Sequence, residues 1–421
     1  MKPALRTALA AALMAAFGGT AWAGVNPQCP EPPAGTPLLH TTNSADGPSN
    51  ARVCLHLAAG DGWSARADGG RHYMFGFSNV TGVPNEEVMS RSLFNAKWSA
   101  PTLAFREGQE VYLSLTNVGM AHRPDLFDPH SVHFHGFPQA APVYDGVPDA
   151  SAVINMGSTF TYYYKLNDPG TYIYHCHVES TEHMHMGMLG TLYVKPKQNG
   201  QSFSVTTTYG NATPATVTRT FTQFAYNDAN GQTGYDVEFP LQLGGFDGSF
   251  HDRHEAVQPL PFESLHSTHT FINGRGYPYT VYTVPVPAPL VDPGDPGSAL
   301  PESSQVEPAL VSARAGQRIL LRLSNSSVAE YFTVTALGLP MEIVGQGAAI
   351  ARGLPGSDNV VLDWKHKTAS VTLGGGESVD VLVDTAGIAP GTYFLYTTNL
   401  NYLSNGAEDR GGIMTHIVIN P

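Results

Sequence analysis

A strand-forming segment occurs twice in this chain, and the repetition restricts the fold more than any other feature. Pro101–Gly119, PTLAFREGQEVYLSLTNVG, matches Pro308–Ser327, PALVSARAGQRILLRLSNSS. In each copy a Gly is followed nine residues later by an Asn, Gly108 to Asn117 and Gly316 to Asn325, with alternating residues between. Farther on, PGTYIY at Pro169–Tyr174 matches PGTYFLY at Pro390–Tyr396. Alternation of period two is the pattern of a strand with one buried face. Two copies of one β-sandwich account for it, over residues 24–198 and 203–421, the second with a long insertion near 225–305.

Composition agrees with an all-β chain. Gly (44) and Pro (32) are abundant among 421 residues and charged residues are sparse, so short strands are set between turn signals. No amphipathic helix longer than a few turns is expected. Pro285–Pro308 carries seven prolines and reads as an irregular connection.

Residues 1–23 form an expected secretory signal. Lys2 and Arg6 precede an apolar Ala8–Phe17, and Ala21-Trp22-Ala23 is a small-x-small cleavage site. Its removal takes away two positive charges, moving the formal net charge from −13 to −15. No basic tract offers a surface to nucleic acid. No later run is long and apolar enough for a membrane span. Export to the periplasm or the medium is compatible with a disulfide between Cys29 and Cys54, which leaves Cys176 as a lone thiol.

That thiol lies in the segment most informative about function. Tyr174–Met188 reads YHCHVESTEHMHMGM, and His130–Gly136 reads HSVHFHG. Together they hold seven histidines and the only cysteine outside the first sixty residues. On strands, His133 and His135 project to one side, as do His175 and His177, so two adjacent strands aim four imidazoles at one point. Cys176 and His130 are out of phase and face the other way. On that side the proposed ligands are His130, Cys176, His183 and Met188, with His185 the rival to His183. A thiolate, two imidazoles and a weak thioether make a trigonal copper site. Met184 and Met186 either assist Cu(I) or pack the domain edge. The second copy is a control: HSVHFHG aligns with Phe332–Gly338, and His175, Cys176 and His177 align with Tyr396, Thr397 and Thr398. The scaffold does not need these histidines, which points to chemistry.

These motifs resemble those of the multicopper oxidases. HFHG with a preceding His is similar to the family's first histidine motif, and HCH followed by His and Met to its copper-thiolate motif. The resemblance implies two cupredoxin-like Greek-key sandwiches and a type 1 copper at Cys176. It makes His133 a type 2 copper ligand, and His135, His175 and His177 ligands of a type 3 pair. It implies that Asp145 and Glu179 are acids delivering protons during oxygen reduction. A complete trinuclear cluster in the family takes eight histidines, and this chain matches four. Replacements are sought in His251 and His254 of FHDRH and in His266 and His269 of LHSTH.

The function expected is one-electron oxidation of a small reductant (a phenol, a metal ion or a redox protein) coupled to reduction of dioxygen. One alternative resembles copper nitrite reductases, with a single type 2 copper on His135 and His175 and a third His from a neighbouring subunit. His133 stands where that family places its catalytic aspartate. Another alternative is a copper-binding or electron-transfer protein without catalysis. The missing ligands also suggest a homo-oligomer, with a trimer the family-like arrangement.

Overall fold

The computed structural model describes residues 24–136, 140–209, 214–287, 304–355, 361–406 and 408–421. The expected signal segment and most of the Pro-rich connection therefore lie outside the described residues. In the first half, strands β1 (Leu38–His40), β2 (Arg52–Ala65) and β3 (Arg71–Asn79) precede helix α1 (Asn85–Arg91). Strands β4 (Leu103–Arg106), β5 (Glu110–Gly119), β6 (His133–Phe134), β7 (Thr159–Lys165) and β8 (Gly170–His175) follow. Helix α2 (Ser180–Met186) and strand β9 (Leu189–Lys195) complete it. One sheet runs β1-β2-β5-β7, with β3 also paired to β2, and the facing sheet runs β4-β9-β8-β6. Val53, Leu55, Leu57, Leu113, Leu115, Tyr162, Tyr172 and Tyr174 fill the space between them.

The second half repeats this plan. Strand Val237–Phe246 runs parallel to Arg318–Asn325, as β2 does to β5. Strand Val311–Arg314 runs parallel to Met414–Asn420, as β4 does to β9. The paired asparagines show why the repeat keeps that residue. Asn117 donates to the carbonyls of Asp128 and Ile154 and accepts from Gly119 N. Asn325 donates to Glu330 O and Leu373 O and accepts from Ser327 N. Both side chains are fully buried, so each amide supplies a loop with hydrogen bonds that water cannot reach. The architecture is all-β, two sandwiches of the expected kind.

The sandwiches meet through the outer face of the β8-β9 sheet. Thr171 donates to Asp380 at 2.6 Å and Thr191 bonds Ser324 at 2.9 Å. Buried Arg322 bonds Glu238 at 2.8 Å and lies over the Tyr193 ring. Because Thr171, Ile173 and His175 share a strand face, the histidine face of the first sandwich is also the face that looks toward the second. The insertion of the second half adds helix α3 (Gly248–Glu255), which packs on β3. The expected disulfide Cys29–Cys54 is present and ties the N-terminal segment to β2. Among the described residues no helix is long and apolar enough to cross a membrane.

Candidate metal centres

Two groups of side chains converge on opposite faces of one strand pair. On the inner face Cys176 is fully buried. Its Sγ lies 3.3 Å from His183 Nδ1 and 3.8 Å from His130 Nδ1. His130 is placed by a short bridge in which its backbone exchanges hydrogen bonds with Ile154. His183 is brought back to the thiol by α2 rather than by an open turn. Met188 is fully buried in the same core; its carbonyl accepts from Cys176 N, and its N–H donates to His183 O. His185, the rival ligand, points elsewhere: its Nε2 accepts from Asp247 N and its ring packs on Phe250.

The donor set fits a copper ion, with one soft sulfur and two imidazole nitrogens in a closed apolar setting. His130 Nε2 and His183 Nε2 are buried with no hydrogen-bond partner. Burial pushes His130 well below the usual histidine range, which keeps it in the neutral ligand form. His183 behaves differently. Burial lowers its pKa, but contacts with Asp128 and Cys176 outweigh burial and raise it to about 10. A metal entering here would displace the proton that His183 holds.

On the outer face β6 pairs with β8 so that His133 is opposite His175. One ring nitrogen each of His133, His135 and His175 lies within 4.8 Å of the others. Their Nδ1 atoms all point at backbone carbonyls. His133 donates to Asp145 O at 2.6 Å, His135 to Gly376 O at 3.2 Å and His175 to Cys176 O at 2.7 Å. A donor proton at each Nδ1 leaves each Nε2 with a free lone pair, the tautomer a metal requires. His135 Nε2 and His175 Nε2 are 2.9 Å apart. Burial lowers the pKa of His175 to about 3 and also lowers that of His135. His177 stands beside the trio, its ring 5.0 Å from that of His133, but it is outside the convergent set. Three imidazoles therefore meet where the strand pattern alone suggests four.

This face opens on a cavity of about 610 Å³ lined by His133, His135, Asp145, Gln346, Gly376 and Glu377 among others. The second sandwich supplies part of the wall and no histidine to it. His251, His254, His266 and His269 are absent from this lining, so the expectation that they complete the histidine cluster is corrected. His251 and His254 lie on α3, against the inner-face centre, and His269 packs on His72 and Phe246. His266 is exposed and bonds Ser264 O. Spacing of three residues gave these pairs no direction relative to β6.

The two acids also separate. Asp145 stays at the cavity, with its carboxylate 3.6 Å from His133 Nδ1. Glu179 does not. Its backbone is left-handed (φ 45°), and its carboxylate lies 3.9 Å from His183 Nε2. The structure thus sets Glu179, which the resemblance makes a proton donor, outside the lining of the histidine cavity: the turn after His177 carries it around to the inner-face centre. With Asp128, whose carboxylate is 3.8 Å from the same nitrogen, it makes an acidic rim that strand phase does not reveal.

The chain is 33% identical over 133 residues to laccase abr2 of Aspergillus fumigatus, covering 31% of this chain and 21% of that one. It is 31% identical over 130 residues to L-ascorbate oxidase of Cucurbita pepo var. melopepo, covering 30% and 22%. The matched part thus spans about a fifth of the length of these relatives. The fold is similar to that of the blue copper oxidase from Nitrosomonas europaea (TM-score 0.60, 21% identity, 87% of this chain and 86% of that one). It is also similar to the fold of the copper nitrite reductase of that organism (TM-score 0.52, 16% identity, 88% and 94%). Family models described as multicopper oxidase match residues 78–199 and 250–418, one in each sandwich, and the chain belongs to the multicopper oxidase family.

Proposed function

We propose that this chain is an exported copper oxidoreductase, periplasmic or secreted, with domains at 24–198 and 203–421. It takes single electrons from a small reductant at the Cys176 centre and delivers them to dioxygen at the histidine face. One observation carries this reading. Cys176 faces His130 and His183 on one side, and its sequence neighbour His175 joins His133 and His135 on the other. One peptide link, reinforced by the bond from His175 Nδ1 to Cys176 O, is the path between the faces. Copper, when bound, supplies one-electron redox chemistry at the first face and oxygen chemistry at the second. His130, Cys176, His183 and Met188 would hold the type 1 ion. His133, His135, His175 and the adjacent His177 would hold type 2 and type 3 ions. Asp145, on the cavity wall beside His133, is the proton relay of this reading, since oxygen reduction consumes protons there. Asp128 and Glu179 give the His183 edge a negative field, which favours a cationic reductant such as a low-valent metal ion over an anionic one; a phenol or redox protein is the alternative donor. The half-built histidine face favours a homo-oligomer, a trimer in the first instance, in which a second copy covers it.

The test is colour and copper count. Copper-loaded protein should absorb intensely near roughly 600 nm, the thiolate-to-Cu(II) band of this geometry, and Cys176→Ser should lose the band and electron entry while remaining folded. Colourless, copper-loaded wild type under oxidising conditions would sink the reading. The nitrite reductase alternative requires two coppers per chain and an electron carrier one; three or more support the oxidase.

A further inference from the structure

The short helix that carries His183 has little reason to hold its own shape. Helix α2 has seven residues, and its N-cap, Glu179, makes no side-chain capping bond. A helix this short does not persist in water without tertiary support. Its own sandwich supports it through Phe75 and the buried Met186, and the hydrogen bonds come from the second. Asp247 N donates to His185 Nε2 at 2.8 Å, and the Asp247 side chain caps α3 by accepting from Ser249 N. His251, fully buried on α3, lies between two carbonyl oxygens, Tyr73 O on β3 at 2.6 Å and His185 O at 3.0 Å, and its neutral ring donates to one of them at a time. One turn on, His254 Nε2 bonds Glu182 Oε1 at 2.8 Å. Arg123 donates to His254 Nδ1 and to His254 O. Because guanidinium only donates, His254 Nδ1 accepts and Nε2–H donates to Glu182. The residues held, Glu182 and His185, flank His183 on both sides.

We propose that α3 is a clamp by which the domain without copper ligands sets the geometry of the Cys176 centre, with His251 and His254 as positioning residues for His183. The proposal rests on the reading that the Cys176 centre holds copper. Nothing else bonded to α2 from the second sandwich replaces these contacts among the described residues. Releasing them frees a one-turn rotation of α2, which moves His183 from the thiol and admits water. Water stabilises the oxidised centre, which carries one more positive charge than the reduced one.

Four variants of the full mature chain test it: His251→Leu, His254→Leu, Glu182→Leu and the conservative His254→Gln. Two readouts are taken. In copper-loaded protein the one-electron equilibrium of the centre should shift toward the oxidised form by a factor of about three to ten in the Leu variants, tenfold being about 59 mV. His254→Gln, whose amide still donates to Glu182, should recover most of that shift. In metal-free protein, amide hydrogen exchange over residues 180–188 should rise at least about fivefold in the Leu variants relative to β2 and β5 amides. Folded variants with unchanged potential and unchanged exchange overturn the clamp. If His251→Leu does not fold, Glu182→Leu and His254→Gln decide the matter, since Glu182 is the less buried partner of that pair (16% against 3%) and Gln keeps a donor at position 254. If wild type proves not to bind copper at Cys176, the copper reading fails while the exchange measurement still judges the clamp.

Discussion

Gly376 is where the second sandwich touches the histidine face, and Gly376→Ala is the sharpest test of that contact. Its φ is +84°, a conformation that L side chains rarely adopt, and an added Cβ would lie 2.6 Å from both Cε1 and Nδ1 of His135. Ordinary carbon contacts begin near 3.4 Å, so the ring must retreat by roughly 0.8 Å or the loop must move. Either loosens the bond from His135 Nδ1 to Gly376 O, which orients Nε2. Loss of such an outer partner costs about 10- to 100-fold in metal affinity, or roughly 1.4–2.7 kcal/mol. Gly347 supplies the control. It lines the same cavity at φ +56°, but its added Cβ meets nothing within 4 Å. Gly347→Ala therefore carries similar backbone strain, about 1 kcal/mol, without the clash. The assay is copper per chain after dialysis against a graded chelator, read beside the visible band and the thermal midpoint. Gly376→Ala should lose the histidine-face copper at lower chelator concentration and keep the blue band; Gly347→Ala should match wild type in both. Equal copper retention in the two variants would refute the claim that Gly376 positions His135.

Three other outcomes follow from the same geometry. Arg322→Met strips buried Asp380 and the partly buried Glu238 of their shared cation and should destabilise the chain by about 3–5 kcal/mol in chemical denaturation; a loss under 1 kcal/mol would mean that Lys195, 2.7 Å from Glu238, suffices. Replacing Cys29 and Cys54 by Ser opens a loop of 25 residues and should cost about 3 kcal/mol, with the blue band retained; loss of colour would show that the N-terminal segment supports the copper centre. Burial lowers the pKa of His56, His251 and His269 to about 4. Between that value and the ordinary 6.5 the unfolded chain binds more protons than the folded one, so stability is fully present above pH 6.5 and falls as pH drops toward 4; a denaturation midpoint flat across that window contradicts neutral buried rings.

Much of this protein is readable from residues alone, because strand geometry has period two. Alternation in 101–119 and 308–327 is enough for two similar sandwiches, and the same alternation separates Cys176 and His130 from His133, His135 and His175. The repeat also marks Asn117 and Asn325, though not their identical bonds. What residues alone leave open is the direction of every segment that is not a strand. His183 and His185 differ by two positions on a helix; His183 faces the thiol while the bond from Asp247 N holds the His185 ring elsewhere. Glu179 leaves the histidine face because one left-handed residue turns the chain. His177 has the right phase yet lies two residues beyond the end of β8, where pairing with β6 has stopped. FHDRH is in sequence a pair of histidines at a turn-like spacing, and it becomes a helix lying against α2 only because the insertion folds back onto β3. Local periodicity sets which way a strand side chain points; the aim of a loop or short helix is set by long-range contacts, and those exist only once the two sandwiches have packed together.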